Sequence, residues 1–357
     1  MTRPLLHALF GVRVVNLGVA TERARIAEFV RDHPDATPFH LPEWSLAIAR
    51  GCGQRAHMLI AESADGSLVG VLPLTETRSP LFGRALVSTG FGVGGGILAR
   101  SEDVVAPLGS AAWDLAGKLR CPTLDLRGGP VAGADWVADD TTYLGFVRPL
   151  AVDDEAELAA IPRKQRAEVR KALASDLDLT IGNGPDEARD HYRVYAESVR
   201  NLGTPVFPRA LFKAVLDEFG DDADILTILS DGAPVASVLS LYFNETVFPY
   251  WGGGTHAARA LRANDAMYFS LMAHARSRGC KRFDFGRSKA GTGAAAFKKN
   301  WGFEPQPLVY HRRTAAGGAP RDINPLNPRY RLKVEAWKRL PLWAANRVGP
   351  LISRGLG

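Results

Sequence analysis

Between Gly279 and Pro305 a short apolar strand pattern, Phe283-Asp284-Phe285, runs into a glycine-rich turn and then into Phe297-Lys298-Lys299. Strand alternation puts the Asp284 carboxylate on the face opposite its phenylalanine neighbours. There it could orient or deprotonate a reacting group, or sit as a structural acid ion-paired to Arg287 or Lys289. A second segment, Tyr250-Trp251-Gly252-Gly253-Gly254, ends another strand pattern. Its glycines would let a ligand or another backbone come close, and a bulge or turn would use them equally well. Thr255–Asn264 follows, with Arg259 and Arg262 ahead of a helix expected to begin at Asn264. Backbone N–H groups at a helix start together with two arginines could hold a phosphate, although solvated surface arginines would give the same pattern. Tyr250, Tyr268 and His256 are further candidates for handling a proton.

Other chemistries lack their residues. The eight histidines show no metal-ligand spacing, and Cys52, Cys121 and Cys280 are too few and scattered for a disulfide scaffold or a zinc site. No GxGxxG follows a first strand, and there is no P-loop and no GxSxG nucleophile elbow. No metal is expected. The 46% hydrophobic and 23% charged composition is that of a globular protein, and no apolar run reaches the roughly 18–20 residues needed to cross a bilayer. Arg13 and Asn16 interrupt the apolar stretch near the start, so the chain reads as mature and cytoplasmic.

The elements that must carry these residues come in two similar sets. Gly94-Gly95-Gly96 and Gly252-Gly253-Gly254 recur at nearly the same interval as Cys121–Asp125 and Cys280–Asp284, with a helix pattern between triplet and aspartate strand in each half. Asp-Gly turns at Asp65-Gly66 and Asp231-Gly232 join apolar strand runs ahead of each triplet. Such agreement argues for duplication. Helices first, then an antiparallel hairpin, a glycine-marked strand, a helix and a last strand make an α+β plan with mixed, mostly antiparallel sheets flanked by helices. Two domains are expected at residues 1–150 and 151–315, with a basic, tryptophan-containing tail at 316–357.

Several phrases in this order resemble one family. They are Phe39-His40-Leu41-Pro42-Glu43-Trp44, Leu72-Pro73-Leu74, Ile161–Lys171, Asp284-Phe285-Gly286-Arg287-Ser288 and the tail segment Trp337–Trp343. Together they resemble the FemAB-like proteins associated with exosortase (PEP-CTERM) and exopolysaccharide gene clusters, and the element plan resembles the GNAT acyltransferase fold used twice. The resemblance implies transfer of an acyl or aminoacyl group onto an amine of an envelope, exopolysaccharide or peptidoglycan-type precursor. The donor it implies is acyl-CoA or aminoacyl-tRNA, as co-substrate and not as a tightly bound cofactor.

The resemblance implies a role for Lys298 and for the glycine-marked strand, and the residues themselves suggest the others. Lys298 would stabilise charge on the leaving group without titrating, with Lys299 as the alternative. Asp284 or Tyr250 would handle the amine proton, and Trp251 with Gly252, Gly253 and Gly254 would meet the donor carbonyl. Arg259, Arg262, Asn264 and Lys299 would take donor phosphates, although the usual GNAT phosphate signature is absent there. In the first domain Glu102 and Asp103 follow the glycine triplet where bases would be wanted, so the donor is expected in the second. Phe39, His40 and Trp44 are the candidates for an acceptor groove, a core role being the other reading.

The net charge of +6 is clustered in Ile161–Leu173, with Arg163, Lys164, Arg166, Arg170 and Lys171, and in the tail from Arg329. The first cluster fits tRNA phosphates or a solvated helix; no DNA partner is expected. The tail, mixing Arg331, Lys333, Lys338, Arg339, Arg347 and Arg354 with Trp337 and Trp343, fits either packing on the first domain or peripheral contact with an anionic inner-membrane face. A different class of function also fits: a non-catalytic scaffold that presents a basic surface to a polysaccharide-synthesis complex or a membrane.

Overall fold

A computed structural model describes residues 10–318 and 328–357, with the side chains of the second span described from Leu332 onward. The first nine residues of the start segment and the Arg331 side chain lie outside the described set. The chain forms two compact units. Unit 1 comprises Met1–Asp139, Val309–Asp322 and Gly355–Gly357, and unit 2 comprises Asp140–Leu308 and Ile323–Arg354.

Unit 1 contains strands β1 (Phe10–Val14), β2 (Arg55–Ser63), β3 (Leu68–Ser79), β4 (Gly83–Ser88), β5 (Leu98–Ala99), β6 (Thr123–Arg127) and β7 (Val137–Asp139), and a returning strand, Tyr310–Thr314. The sheet order is β1-β2-β3-β4-β6, the returning strand, then β7, with β5 beside β3. Helices α1 (Ala20–Asp32), α2 (Pro42–Cys52) and α3 (Val105–Lys118) accompany it. Proline at the first turn starts α2, where its missing N–H costs nothing, and Gly53 in the left-handed region ends it. The core joins Leu59, Leu72, Leu74 and Leu86 of the strands to Leu108 and Ala112 of α3. Each such leucine contributes about 1.5–3 kcal/mol by leaving water.

Unit 2 contains β8 (Tyr143–Pro149), β9 (Asp178–Gly182), β10 (Ala223–Ser230), β11 (Ala233–Phe243), β12 (Thr246–Gly254), β13 (Arg282–Asp284), β14 (Ser288–Lys289) and β15 (Pro305–Pro307). The order is β14-β8-β13-β12-β11-β10-β9, with β15 on β8. So β8, on the first side of a boundary at 150, pairs within the second sheet. The helices are α4 (Asp154–Ala160), α5 (Arg163–Leu173), α6 (Pro185–Asn201), α7 (Arg209–Phe219), α8 (Ala258–Leu261), α9 (Ala263–Ser277), α10 (Gly293–Asn300), α11 (Pro328–Lys338) and α12 (Leu342–Ser353). Asp231 and Gly232 both have positive φ, the pairing a tight right-twisted hairpin requires, and they join β10 to β11. The fold is α+β, two mixed sheets with flanking helices.

Candidate active site

The feature that sets unit 2 apart begins as a register shift. Along β11, Leu239 faces Trp251 but Ser240 faces Pro249, which leaves Tyr250 as the extra residue of a β-bulge. On its other edge β12 pairs in parallel with β13 only at Thr246–Arg282 and Val247–Phe283. Beyond Val247 the two strands part, and among the described residues no strand pairs with that edge of Phe248–Gly254. A strand edge carries backbone N–H and C=O groups ready for a partner.

The glycine triplet is fitted to side chains. A Cβ on Gly252 would stand 3.0 Å from the Tyr268 hydroxyl, one on Gly253 2.3 Å from Ser198 Oγ, and one on Gly254 2.7 Å from Asn264 Oδ1. Ser198 lies on α6 and Tyr268 and Asn264 on α9, so these helices seat directly on the strand backbone. Sequence reasoning missed Ser198; its one signal is its place on the apolar-facing side of α6, next to buried Val199. Asn264 Oδ1 is buried and has no hydrogen-bond partner among the described residues.

Tyr268 leads from β12 to the charged pair. Its ring packs on Phe285 at 4.6 Å, and burial raises its hydroxyl pKa well above the ordinary value. The Lys298 ammonium sits 5.4 Å from the centres of both the Phe285 and Phe146 rings. It donates to the carbonyl oxygens of Gly286, at 3.2 Å, and Arg287, at 3.0 Å. Phe283 and Phe285 are both in the core, as alternation required, and Asp284 turns the other way. Its carboxylate accepts the Gly286 N–H at 2.8 Å, and among the described residues no cation reaches ion-pair distance. The left-handed turn at Gly286 (φ 68°) therefore binds both groups to the end of β13.

Burial moves the two groups toward one another on the pH scale. Desolvation pushes Asp284 up to about 6, against the pull of the Gly286 N–H and the Lys298 charge. Desolvation also brings Lys298 down to about 8, opposed by Asp284 and aided by Arg287. A lysine expected to act as a fixed charge is thus drawn toward a range where it could also exchange a proton. Tyr250, half-buried, lies edge-on to Trp251, and Trp251 is in the core against Phe212 at 5.1 Å.

The expected phosphate residues fare less well. Arg262 adopts the left-handed conformation ahead of α9 and pairs with Glu168 of α5, while Asp265 in the first turn of α9 accepts a hydrogen bond from Gln165 at 2.7 Å. Burial holds Asp265 up at about 6. An acid in that turn and a committed arginine disfavour an anion at this helix start. Arg259 and Lys299 are exposed, and the His256 N–H is bound to Glu197.

The three acceptor candidates are core residues of unit 1. Trp44 is fully buried and donates to Gly90 O at 3.1 Å; Phe39 packs edge-on against it at 4.8 Å. His40, also buried, meets Gly96 O at 3.1 Å through Nε2 and Thr37 N at 3.1 Å through Nδ1, and burial lowers it to about 4. With both nitrogens occupied and the rings packed, an acceptor has nothing to touch here, which corrects the expected groove. The three cysteines are buried free thiols, Cys121 and Cys280 pushed up to about 11 by burial. No metal-holding cluster occurs among the described residues.

Residues 163–299 match the acetyltransferase (GNAT) domain. No curated protein matches the sequence significantly. In structure the chain is similar to FemX, with a TM-score of 0.65 at 14% identity, over 84% of this chain and 96% of that one. It is similar to a tandem GNAT protein from the clavulanic acid biosynthesis pathway (TM-score 0.54, 16% identity, 88% and 100% covered). A third likeness is Saccharomyces cerevisiae N-myristoyltransferase with bound myristoyl-CoA and inhibitors (TM-score 0.51, 12% identity, 92% and 85% covered). At these identities the likeness is one of fold, a tandem GNAT-like arrangement.

Proposed function

We propose that this chain is an N-acyltransferase whose donor lies in unit 2, along the edge of β12 that parts from β13. The observation that carries the reading is that parting, with the Asp284–Lys298 pair fixed at the end of β13. N–H groups of the bulged segment Tyr250–Gly254 polarise the donor carbonyl; their alignment is built before the donor arrives, so little reorganisation opposes charge build-up on oxygen. The acceptor amine, positioned and relieved of its proton by Asp284, attacks the carbonyl carbon. A C–N bond forms, the bond to the leaving sulfur or oxygen breaks, and the leaving group takes a proton. Lys298 is suited to supply that proton, because a thiolate's conjugate acid has a pKa of about 8.5, close to the lysine's own.

Acyl-CoA is the donor we favour; the GNAT domain match and the likeness to a tandem GNAT protein and an N-myristoyltransferase support it. Aminoacyl-tRNA is the second reading, favoured by the exposed Arg163, Lys164 and Arg170 of α5. For the acceptor, the resemblance to FemAB-like proteins of exopolysaccharide clusters points to an amine on an envelope or exopolysaccharide precursor. The test is native mass spectrometry of the protein purified from its own host. Retained acyl-CoA supports the first donor; co-purifying RNA lost at high salt supports the second. If neither is retained and neither shifts thermal unfolding when added, the transferase reading fails.

A further inference from the structure

Helix α12 has two faces made of different chemistry. Ala345, Gly349 and Ser353 repeat every four residues and form its buried side. A Cβ on Gly349 would stand 3.0 Å from Val206 N, and Ser353 Oγ donates to Val206 O at 2.8 Å. Small residues thus let α12 lie directly on the backbone that follows α6, and they fix its rotation. Trp343, Arg347 and Leu351 also repeat every four residues, on the opposite side, with Arg354 on the same face. Trp343 is 74% exposed and Leu351 62%. Arg347, Arg354 and Arg339 just ahead of the helix are exposed, and no acidic residue occurs from Ala336 to Gly357.

We propose that this outward face of α12 rests on a membrane surface rich in anionic phospholipid. Two arguments select lipid headgroups over a protein groove. Arg347 stands between Trp343 and Leu351, with exposed Val348 beside it, so a guanidinium is set inside the apolar surface, where a protein groove would need an acid to receive it. At headgroup level an indole, a leucine and guanidinium groups are all satisfied at once. The charge is complementary too, since basic residues near an anionic leaflet each add attraction and the segment carrying them has no acid of its own. The helix lies on the surface and does not enter it: twelve residues reach only about 18 Å, and no described helix is long and apolar enough to cross a bilayer.

Flotation of the full chain with vesicles tests it. Vesicles of phosphatidylcholine mixed with phosphatidylglycerol should carry the protein up, vesicles of phosphatidylcholine alone should leave it behind, and high salt should release it. Trp343→Ser with Leu351→Ser should weaken binding at least about ten-fold, and Arg347→Glu, which leaves the apolar residues in place, should do so by a similar factor. Unchanged thermal unfolding of both variants shows that the fold is intact. Equal recovery on neutral and anionic vesicles, or unchanged binding by the variants, overturns the proposal. So does self-association in sedimentation velocity that these variants abolish while vesicles capture nothing, since the face would then belong to a second copy of the chain.

Discussion

Two strands of the same type meet different ends in the two units. In unit 1, β4 pairs in parallel with β6 through Leu86, Val87 and Ser88, its last residue. In unit 2, β12 leaves its parallel partner after Val247 and continues to Gly254. The glycine triplets differ accordingly. A Cβ on Gly96 would fall 1.8 Å from Gly128 O, so that triplet is closed by another backbone, with His40 on its carbonyl. Gly252–Gly254 meet side chains, which can shift to admit a ligand. The matched aspartates diverge as well: Asp125 is ion-paired to Arg312 at 2.6 Å, whereas Asp284 holds a raised pKa near the half-buried Lys298. On the proposed reading, unit 1 is packed for stability and unit 2 is the unit open for chemistry.

The contrast can be broken at several points. The largest effect should come from Lys298→Met, with turnover falling about 10²–10³-fold, the loss typical of removing a charge-stabilising donor. Because burial already disfavours the ammonium, thermal stability should hold or rise; a normal rate would remove Lys298 from the mechanism. Next is Gly96→Ala in unit 1. Its Cβ meets backbone oxygen that cannot rotate away, so denaturant unfolding should show a loss of about 3 kcal/mol or more.

The pH dependence sharpens the difference further. Turnover should rise through about pH 6 as Asp284 ionises and fall above about pH 8 as Lys298 loses its proton, with Asp284→Asn suppressing activity throughout. Stability follows the opposite signs. Asp284 is raised from 3.8, so its contribution is full below that value and is lost as pH rises through about 6. Lys298 is lowered from 10.5, so its contribution is present above that value and is lost as pH falls through about 8. A flat rate profile between pH 5 and 9 would show that neither group acts. The smallest effect belongs to Asp125→Asn: about 1 kcal/mol or less of stability for a partly exposed pair, and an unchanged turnover.

Much of this was legible because local patterns are strong. The hairpin turns at Asp65-Gly66 and Asp231-Gly232, the helices α3, α6, α7 and α9, and strand β13 are written in apolar periodicity and turn residues. Alternation alone placed Asp284 opposite Phe283 and Phe285. Short or polar strands were not legible: β9 and the returning strand Tyr310–Thr314 carry no buried stripe, and both are fixed by distant partners. The same holds in the site. Nothing near Arg262 in sequence announces Glu168, and nothing near His40 announces Gly96, so both looked available until their partners were seen. The Tyr250 bulge is a relation between two strands, which one strand's sequence does not contain.

The central claim is that the donor occupies the open edge of unit 2 and not the closed triplet of unit 1. Hydrogen exchange with and without saturating acetyl-CoA tests it most directly. The account predicts slowed exchange across Phe248–Gly254 and α10, with Leu86–Ile97 unchanged; protection at Gly94–Gly96, or none along β12, would contradict it.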